Sequence, residues 1–157
     1  MMVSRSGMHA LKALAVLGAL PDGAHAGAAR IARQITAPSN YLGKLLRVLS
    51  RAGVVEGRKG SDGGFRLSRS SSAISLIDVL DPIEHVSELE GCFLGRTRCR
   101  GSKPCALHKG WSRVREHYLD FLRTTTLADL VEKQASGARR KGGQHDRAAR
   151  IAAGGVR

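Results

Sequence analysis

A glycine-rich, basic loop lies between two short apolar runs and restricts the folds open to the N-terminal half of this chain. Residues 57–64 read Gly-Arg-Lys-Gly-Ser-Asp-Gly-Gly, and they separate Val54-Val55-Glu56 from Phe65-Arg66-Leu67. Short apolar runs joined by glycines are typical of a β-hairpin, because glycine supplies the backbone angles that a tight loop needs. We therefore predict a hairpin whose exposed tip carries Arg58 and Lys59.

Three helices are predicted ahead of this hairpin. Pro21-Asp22-Gly23 stops the first and Gly53 stops the third, while Pro38 suits the start of the third because its missing N–H is not needed there. The helices span residues 5–20, 26–34 and 39–52. The third has an apolar inner face of Leu42, Leu45, Leu46 and Leu49. Three helices followed by a hairpin is the element order of a winged helix-turn-helix.

A fourth helix is predicted to begin at Ser75. The run Ser75-Leu76-Ile77-Asp78 forms a capping box, in which the first and last side chains satisfy backbone N–H groups of the first turn. Pro82 is expected to end or kink this helix, since proline removes a backbone donor. Residues 91–105 lack a hydrophobic period and are predicted to form a loop.

A longer helix is predicted from Leu107. Its apolar positions recur at spacings of four and three residues, the pattern of a helix that packs against another helix. They are Leu107, Trp111, Val114, Tyr118 and Phe121. A second capping box over residues 126–129 predicts that the helix breaks near Thr125 and restarts. The fold class is therefore mainly α with a small β-hairpin wing, a winged helix-turn-helix plus a long dimerisation helix.

Positive charge is concentrated towards the two ends of the chain. Of the formal net charge of +13, residues 1–72 carry +8, residues 73–134 carry zero and residues 135–157 carry +5. This distribution indicates a front half that meets a polyanion and a middle with another role. We predict a DNA-binding domain over 1–72, a cysteine sensor loop with dimerisation helices over 73–134, and a disordered basic tail over 135–157.

The third helix and the hairpin supply the candidate DNA-binding residues. The second helix of a helix-turn-helix lies in the major groove, and its early side chains reach base edges. A glycine-rich wing lets a cation enter the minor groove. The candidates are Ser39, Asn40, Tyr41, Lys44 and Arg47 on the helix, and Arg58, Lys59 and Gly60 in the wing. A basic RNA-binding protein with a structural zinc site is the alternative, although aromatic residues, at 4 %, are few for base stacking.

All three cysteines of the chain lie between the fourth helix and the long helix, in the pattern Cys92-x6-Cys99-x5-Cys105-x2-His108. Thiolates are soft ligands that suit iron–sulfur clusters or zinc, and an odd number of cysteines argues against a disulfide framework. Four cations between the outer cysteines favour thiolates over thiols. The metal-binding candidates are the three cysteines, with His108 as fourth ligand. Zinc or redox-active thiols are the alternatives to a cluster.

Neither an enzyme nor an exported protein is expected. No paired carboxylates and no nucleophile–base arrangement stand out. Residues 1–26 imitate a secretory signal, but Lys12 interrupts the apolar run, and the apolar residues share one helical face. No apolar run approaches the length of a membrane span. We therefore expect a cytoplasmic protein.

Taken together, residues 3–134 resemble the Rrf2 family of bacterial winged-helix regulators. The resemblance implies a homodimer on a roughly palindromic operator and a cluster that controls DNA affinity, in a regulator that we expect to be a repressor. It rests on Tyr41-Leu42, Gly53-Val54-Val55, Gly60-x2-Gly63-Gly64-Phe65, Ile74-Ser75-Leu76-Ile77-Asp78-Val79, Cys92-Phe93-Leu94-Gly95, Pro104-Cys105-x2-His108-x2-Trp111 and Thr126-Leu127-Ala128-Asp129-Leu130.

The resemblance also bears on the type of cluster. In IscR-like members three cysteines and a histidine hold a two-iron cluster, a ligand set that maps onto Cys92, Cys99, Cys105 and His108. In some NsrR-like members an acidic residue of the first helix ligates a four-iron cluster, and the corresponding residue here is Met8, with His9 beside it. A 2Fe–2S cluster is therefore favoured over a 4Fe–4S cluster.

Overall fold

The computed structural model describes residues 3–60, 63–88, 93–94 and 106–131. Its elements follow the predicted order of three helices, a hairpin and two further helices, which confirms the predicted fold class. They are α1 (Arg5–Gly18), α2 (Ala28–Ile35), α3 (Ser39–Arg51), β1 (Val55–Arg58), β2 (Gly64–Leu67), α4 (Leu76–Glu84) and α5 (His108–Thr124), with short 3₁₀ turns at Ser71–Ala73 and Val86–Glu88. The predicted basic tail over 135–157 lies outside the described residues.

One hydrophobic core joins the three N-terminal helices to the wing. The leucines of the predicted inner face of α3 are all buried, because spacings of three and four residues place them on one side of the helix. They meet Leu14 of α1, Ile31 of α2 and Val55 of β1. Each such side chain contributes about 1.5–3 kcal/mol by leaving water. Ile74, Val79 and Leu127 belong to the same core, so packing continues past residue 72.

A second, smaller core joins α4 to α5. Leu76 and Leu80 of α4 pack there with Val86 and with Leu122 of α5. Of the 17 residues of α5, Leu119 and Leu122 are the buried ones. The long helix is therefore attached to the rest of the molecule by a narrow apolar contact.

The wing is a two-stranded antiparallel hairpin that pairs Val55 with Leu67 and Arg58 with Gly64. Ala26 extends it, since the Ala26 N–H donates to the Phe65 carbonyl at 3.0 Å and the Ala26 carbonyl accepts from the Phe65 N–H at 2.9 Å. Gly64 permits this approach, because a Cβ there would lie 2.6 Å from the Ala26 carbonyl. The second helix was predicted to begin at residue 26. That prediction is wrong by two residues, since Ala26 pairs with the wing and Gly27 caps α2.

The ends of α3 and the start of α4 agree with the sequence signals. Pro38 occupies the N-cap of α3, and Gly53 follows the helix with a φ of 73°. Ser75 caps α4 through the predicted capping box, with the Ser75 N–H donating to Asp78 Oδ2 at 3.0 Å. Pro82 does not end α4, which continues to Glu84. The proline removes one backbone hydrogen bond but has the φ of a helix, so the helix can continue through it.

The predicted break after the long helix is confirmed. Helix α5 ends at Thr124, Thr125 is extended, and the chain is helical again over 127–131. The Thr126 N–H and hydroxyl both donate to Asp129 Oδ2, each at 2.8 Å. Within the described ranges, no helix has both the length and the apolar character that crossing a membrane requires.

Candidate nucleic-acid interface

A cleft of about 530 Å³ separates the start of α2 from the exposed side of α3. We call it the α2–α3 cleft. Exposed side chains of Ser39, Asn40, Lys44 and Arg47 line it, and its remaining lining residues are small. It is lined by Ala28, Ala29, Ser39, Asn40, Gly43, Lys44 and Arg47. Four of the five helix residues predicted to contact DNA are therefore brought together on one surface.

A second concave surface, the α3–wing groove, lies between the C-terminal half of α3 and the hairpin, with a volume of about 380 Å³. Four cations line it: Arg47 and Arg51 of α3, and Arg58 and Lys59 of the wing. Gly57, Gly64 and Phe65 also contribute to its lining. The predicted wing cations thus share a groove with the exposed side of α3.

Arg47 lines both surfaces, so they adjoin and together form a continuous basic strip. Among the described residues, no acidic side chain lines either surface. The wing carboxylate of Glu56 accepts a hydrogen bond from Arg66 Nη2 at 2.8 Å across the hairpin. The groove cations are therefore available to an anion, and a positively charged concave strip suits a nucleic-acid backbone.

Tyr41 and Gly60 line neither surface. The half-buried Tyr41 packs on the N-terminal core, and its hydroxyl donates to the Ser6 hydroxyl of α1. Its ring lies edge-on to that of His9, with centroids 5.9 Å apart. Gly60 is exposed at the wing tip with a φ of 110°. The structure thus places Tyr41 between α1 and α3, whereas Gly60 shapes the turn.

Sequence reasoning missed Arg51. It lies four residues after Arg47, a spacing that puts both side chains on the same side of a helix. Arg51 is exposed in the last turn of α3 and lines the α3–wing groove. The four-residue spacing was the available signal, and extending the outward face of α3 by one turn would have identified this residue.

Of the four predicted metal ligands, His108 is the one that lies within the described residues. Cys92, Cys99 and Cys105 lie outside the described residues. His108 is the first residue of α5 and is half-buried. Close by, the rings of Phe93 and Trp111 are in contact, with centroids 5.4 Å apart.

The apolar seam predicted on the long helix is partly exposed in the single chain. Leu107, Val114 and Phe121 keep 47 %, 55 % and 54 % of their surface accessible. Trp111 and Tyr118 are half-buried. Burial and the nearby Glu84 carboxylate raise the pKa of the Tyr118 phenol. An apolar stripe of this length on one helix is a candidate interaction surface.

Comparison with known sequences agrees with this architecture. Residues 3–133 match the Rrf2 family, whose description is iron-dependent transcriptional regulator. A protein of Aquifex aeolicus (strain VF5) described as an HTH-type transcriptional regulator is 32 % identical over 103 residues, or 64 % of this chain and 72 % of that protein.

Solved structures show the same fold. CymR, described as the global cysteine regulator of B. subtilis, superposes with a TM-score of 0.71 at 25 % identity, covering 85 % of this chain and 98 % of that one. The oxidized form of Staphylococcus aureus CymR gives a TM-score of 0.68 at 26 % identity, covering 84 % and 97 %. T. potens IscR gives 0.66 at 24 % identity, covering 85 % and 88 %.

The family match spans most of the chain and includes the helices, the wing and the helical segment over residues 127–131. Members of this family are transcriptional regulators that bind DNA. The sequence match, the winged helix and the basic strip agree. The chain belongs to the Rrf2 family and is a transcriptional regulator rather than an enzyme.

Proposed function

We propose that this regulator represses transcription and that an iron–sulfur cluster held by Cys92, Cys99, Cys105 and His108 controls its operator affinity. The observation that carries the proposal is the donor set: three soft thiolates and an imidazole within a short stretch of chain. The position of His108 on the first turn of α5, three residues after Cys105, supports it. The family's description as iron-dependent supports it independently.

The surrounding charges fit such a group. Four cations and no acidic residue lie between the outer cysteines: Arg96, Arg98, Arg100 and Lys103. They lower the energy of the thiolate form and offset the negative charge of a thiolate-bound cluster. When bound, a cluster of this kind supplies a centre that is sensitive to oxidants and to iron and sulfide supply. A neutral, protonatable imidazole makes His108 the most labile of the four ligands.

The proposed DNA interface is the basic strip. Ser39 and Asn40 are exposed at the start of α3, where the residues of a recognition helix reach base edges. Lys44, Arg47, Arg58 and Lys59 supply the charge that meets phosphates or enters the minor groove. Tyr41 remains in the proposed set as the residue that holds α3 against α1, and Gly60 as the residue that lets the wing turn.

The proposed regulator is a homodimer. Its interface is the apolar seam of α5, where leaving three large side chains about half exposed in a single copy is unfavourable in water. A second copy of the same helix covers these residues, and the twofold axis matches a palindromic operator.

A continuous set of contacts connects the proposed cluster region to the DNA-binding face. Leu122 of α5 packs on Leu80 of α4. Glu84, at the end of α4, accepts hydrogen bonds from the Ser4 N–H at 3.0 Å and the Ser4 hydroxyl at 2.7 Å, at the start of α1. A shift of α5 on loss of the cluster can therefore change the position of α1, which contacts α3 through Tyr41.

The test is anaerobic purification of the full chain, followed by visible absorption spectroscopy and iron and sulfide analysis. Each of the variants Cys92→Ser, Cys99→Ser and Cys105→Ser should lose visible absorbance and fail to regulate an operator-linked reporter. His108→Ala should keep a cluster with an altered spectrum or shorter lifetime. His117→Ala, at an exposed histidine on the same helix, is the matched control and should behave as wild type.

A colourless protein containing no iron, or three Cys→Ser variants that regulate normally, would sink the cluster proposal. The second candidate function keeps the same DNA-binding fold and uses zinc or redox-active thiols as the sensor. The likeness to CymR, a global cysteine regulator of which an oxidized form has been solved, favours this candidate. A colourless protein whose DNA affinity changes with thiol oxidation would support it. Higher affinity for RNA than for duplex DNA would contradict both.

A further inference from the structure

Two glycines inside helices differ in what the fold requires of them. Gly7 of α1 is buried where that helix meets α4, and a Cβ there would lie 2.7 Å from Leu80 Cδ2 and 2.8 Å from Val3 Cγ1. Gly43 of α3 has no such neighbour, since a Cβ there would lie 3.9 Å from the Cβ of Ala28, an ordinary van der Waals contact. Packing therefore requires a glycine at Gly7 and would accept an alanine at Gly43.

Glycine at position 43 nonetheless weakens the helix that carries it. It is the fifth of the 13 residues of α3, in the helix interior. There glycine is the least favourable residue apart from proline, because it loses the most backbone freedom on folding. Nothing in the described part of the chain compensates for this, since neither a positive φ nor a close neighbour occurs at Gly43. Packing within the described part of the chain therefore does not require the glycine at position 43.

The missing side chain opens the α2–α3 cleft. Gly43 lies in its lining together with Ala28 and Ala29, so three of the seven lining residues have at most one side-chain carbon. Lys44 and Arg47 line the same cleft, and no carboxylate of the described residues does. Ser39 and Asn40, the proposed base-reading residues, line one side of the cleft, and the small residues with the two cations leave room beside them for an extended anionic chain.

We propose that Gly43 keeps the α2–α3 cleft open so that one sugar–phosphate strand of duplex DNA lies in it, with Lys44 and Arg47 neutralising its phosphates. This rests on the proposed DNA-binding function and adds to it a position where a missing side chain is the functional feature. A side chain at residue 43 occupies the space of the strand and holds the duplex away from α3. Because the contact is with the backbone, its loss weakens binding to duplexes of every sequence.

The experiment compares Gly43→Ala and Gly43→Met with wild type. Both residues form helices better than glycine and add no charge or hydrogen-bonding group. The Tm of each should rise by about 3 °C, the expected effect of replacing a helix-interior glycine in a chain of this size. DNA affinity should fall, by about tenfold for Gly43→Met and by less for Gly43→Ala. Affinity is measured on a random-sequence duplex pool and on a duplex selected from that pool, and both should show a loss.

Gly110→Ala is the matched control. Gly110 is exposed within α5, and a Cβ there meets nothing within 4 Å, so this variant should gain stability without losing DNA affinity. The proposal is overturned if Gly43→Met binds both duplexes as tightly as wild type, or if its loss is confined to the selected duplex. It is also overturned if Gly43→Ala lowers the Tm. Failure of the proposed DNA-binding function looks different, because wild type itself would then bind neither duplex.

Discussion

Helix α3 buries all four leucines of its apolar face, whereas α5, with 17 residues against 13, buries Leu119 and Leu122 and leaves Phe121 between them 54 % exposed. Both helices have apolar residues at spacings of three and four. The leucines of α3 meet α1, α2 and the wing, all of which lie nearby in sequence. The stripe on α5 has no comparable set of elements within the described chain. The same periodic pattern therefore marks a buried core in one region and an exposed apolar stripe in the other.

This difference between α3 and α5 also distinguishes residues expected to stabilise the fold from residues expected to mediate assembly. The core of the winged helix is formed by residues of a single chain. Helix α5 is attached through the small core at Leu122 and presents Leu107, Val114 and Phe121 to solvent. Adjacent positions 121 and 122 therefore have different roles, which substitutions can distinguish.

The largest effect is expected from Leu122→Ala. This residue is 1 % exposed and packs on Leu76, Leu80 and Val86. Removing its branched side chain leaves a cavity between α4 and α5, so the free energy of unfolding should fall by about 2–5 kcal/mol. Denaturant unfolding at a fixed protein concentration measures this change. A loss below about 1 kcal/mol would mean that the second core does not hold α5 in place.

Phe121→Glu should have the next largest effect, and on assembly rather than on folding. A carboxylate in the dimer seam would be buried unpaired, so the dimer dissociation constant should rise by about tenfold or more. Trp111→Glu, nearer the other end of the same seam, should likewise shift the protein to monomer. Sedimentation velocity measures both, with Arg123→Glu, at an exposed site on the same helix, as the control. A stable dimer in the Phe121 and Trp111 variants would exclude α5 as the interface.

Much of the winged helix could be predicted from the sequence because its signals are local. The buried face of α3, the stop at Gly53, the hairpin and the capping box at Ser75 each follow from a few neighbouring residues. One helix boundary was wrong because a distant residue decides it. Ala26 was assigned to a helix because its neighbours are alanines, but its backbone pairs with Phe65, 39 residues later. Of the two outcomes expected at Pro82, an end or a kink, the structure excludes the end, because α4 continues to Glu84.

The sequence named most of the residues of the candidate site but not how they are arranged in space. The sequence identified Lys44, Arg47, Arg58 and Lys59, but not that Arg47 joins two concave surfaces. Tyr41 was selected for its position early in the recognition helix, while its inward direction depends on Ser6 and His9 of α1. The predicted boundary at residue 72 remains a prediction, although Ile74 and Val79 pack into the N-terminal core.

An intermediate effect is expected when one groove cation is removed. Arg51→Ala should weaken duplex binding and flatten the log–log dependence of affinity on salt by about one unit, since one phosphate contact is lost. Arg58→Ala and Lys59→Ala should behave in the same way without unfolding the protein. Arg123→Ala is the matched control, because Arg123 is also exposed in the last turn of its helix but lies on α5. An unchanged slope in the Arg51 variant would exclude this residue from the interface.

The smallest effect is expected at the ion pair that joins the segment after the wing to α4. In this pair Arg69 lies 3.0 Å from Asp78. Burial acts to raise the pKa of Asp78, but hydrogen bonds from Ser75 and the Arg69 guanidinium outweigh it and hold that pKa below its ordinary value. A carboxyl with a lowered pKa stabilises the fold above its unfolded-state pKa, and this contribution disappears as pH falls through the folded-state pKa.

Asp78→Asn should therefore be less stable than wild type at neutral pH, by no more than about 1 kcal/mol because the pair is partly exposed. The difference should shrink as the pH falls below about 4, where the wild-type carboxyl also becomes neutral. Urea unfolding of both proteins across this range measures it. Arg69→Gln should cause part of the same loss, and the double variant should lose less than the sum of the two, because both substitutions remove one interaction. If the difference in the free energy of unfolding between the two proteins stays constant down to the lowest pH, Asp78 acts as a helix cap through its shape. Its charge then does not stabilise the contact with Arg69.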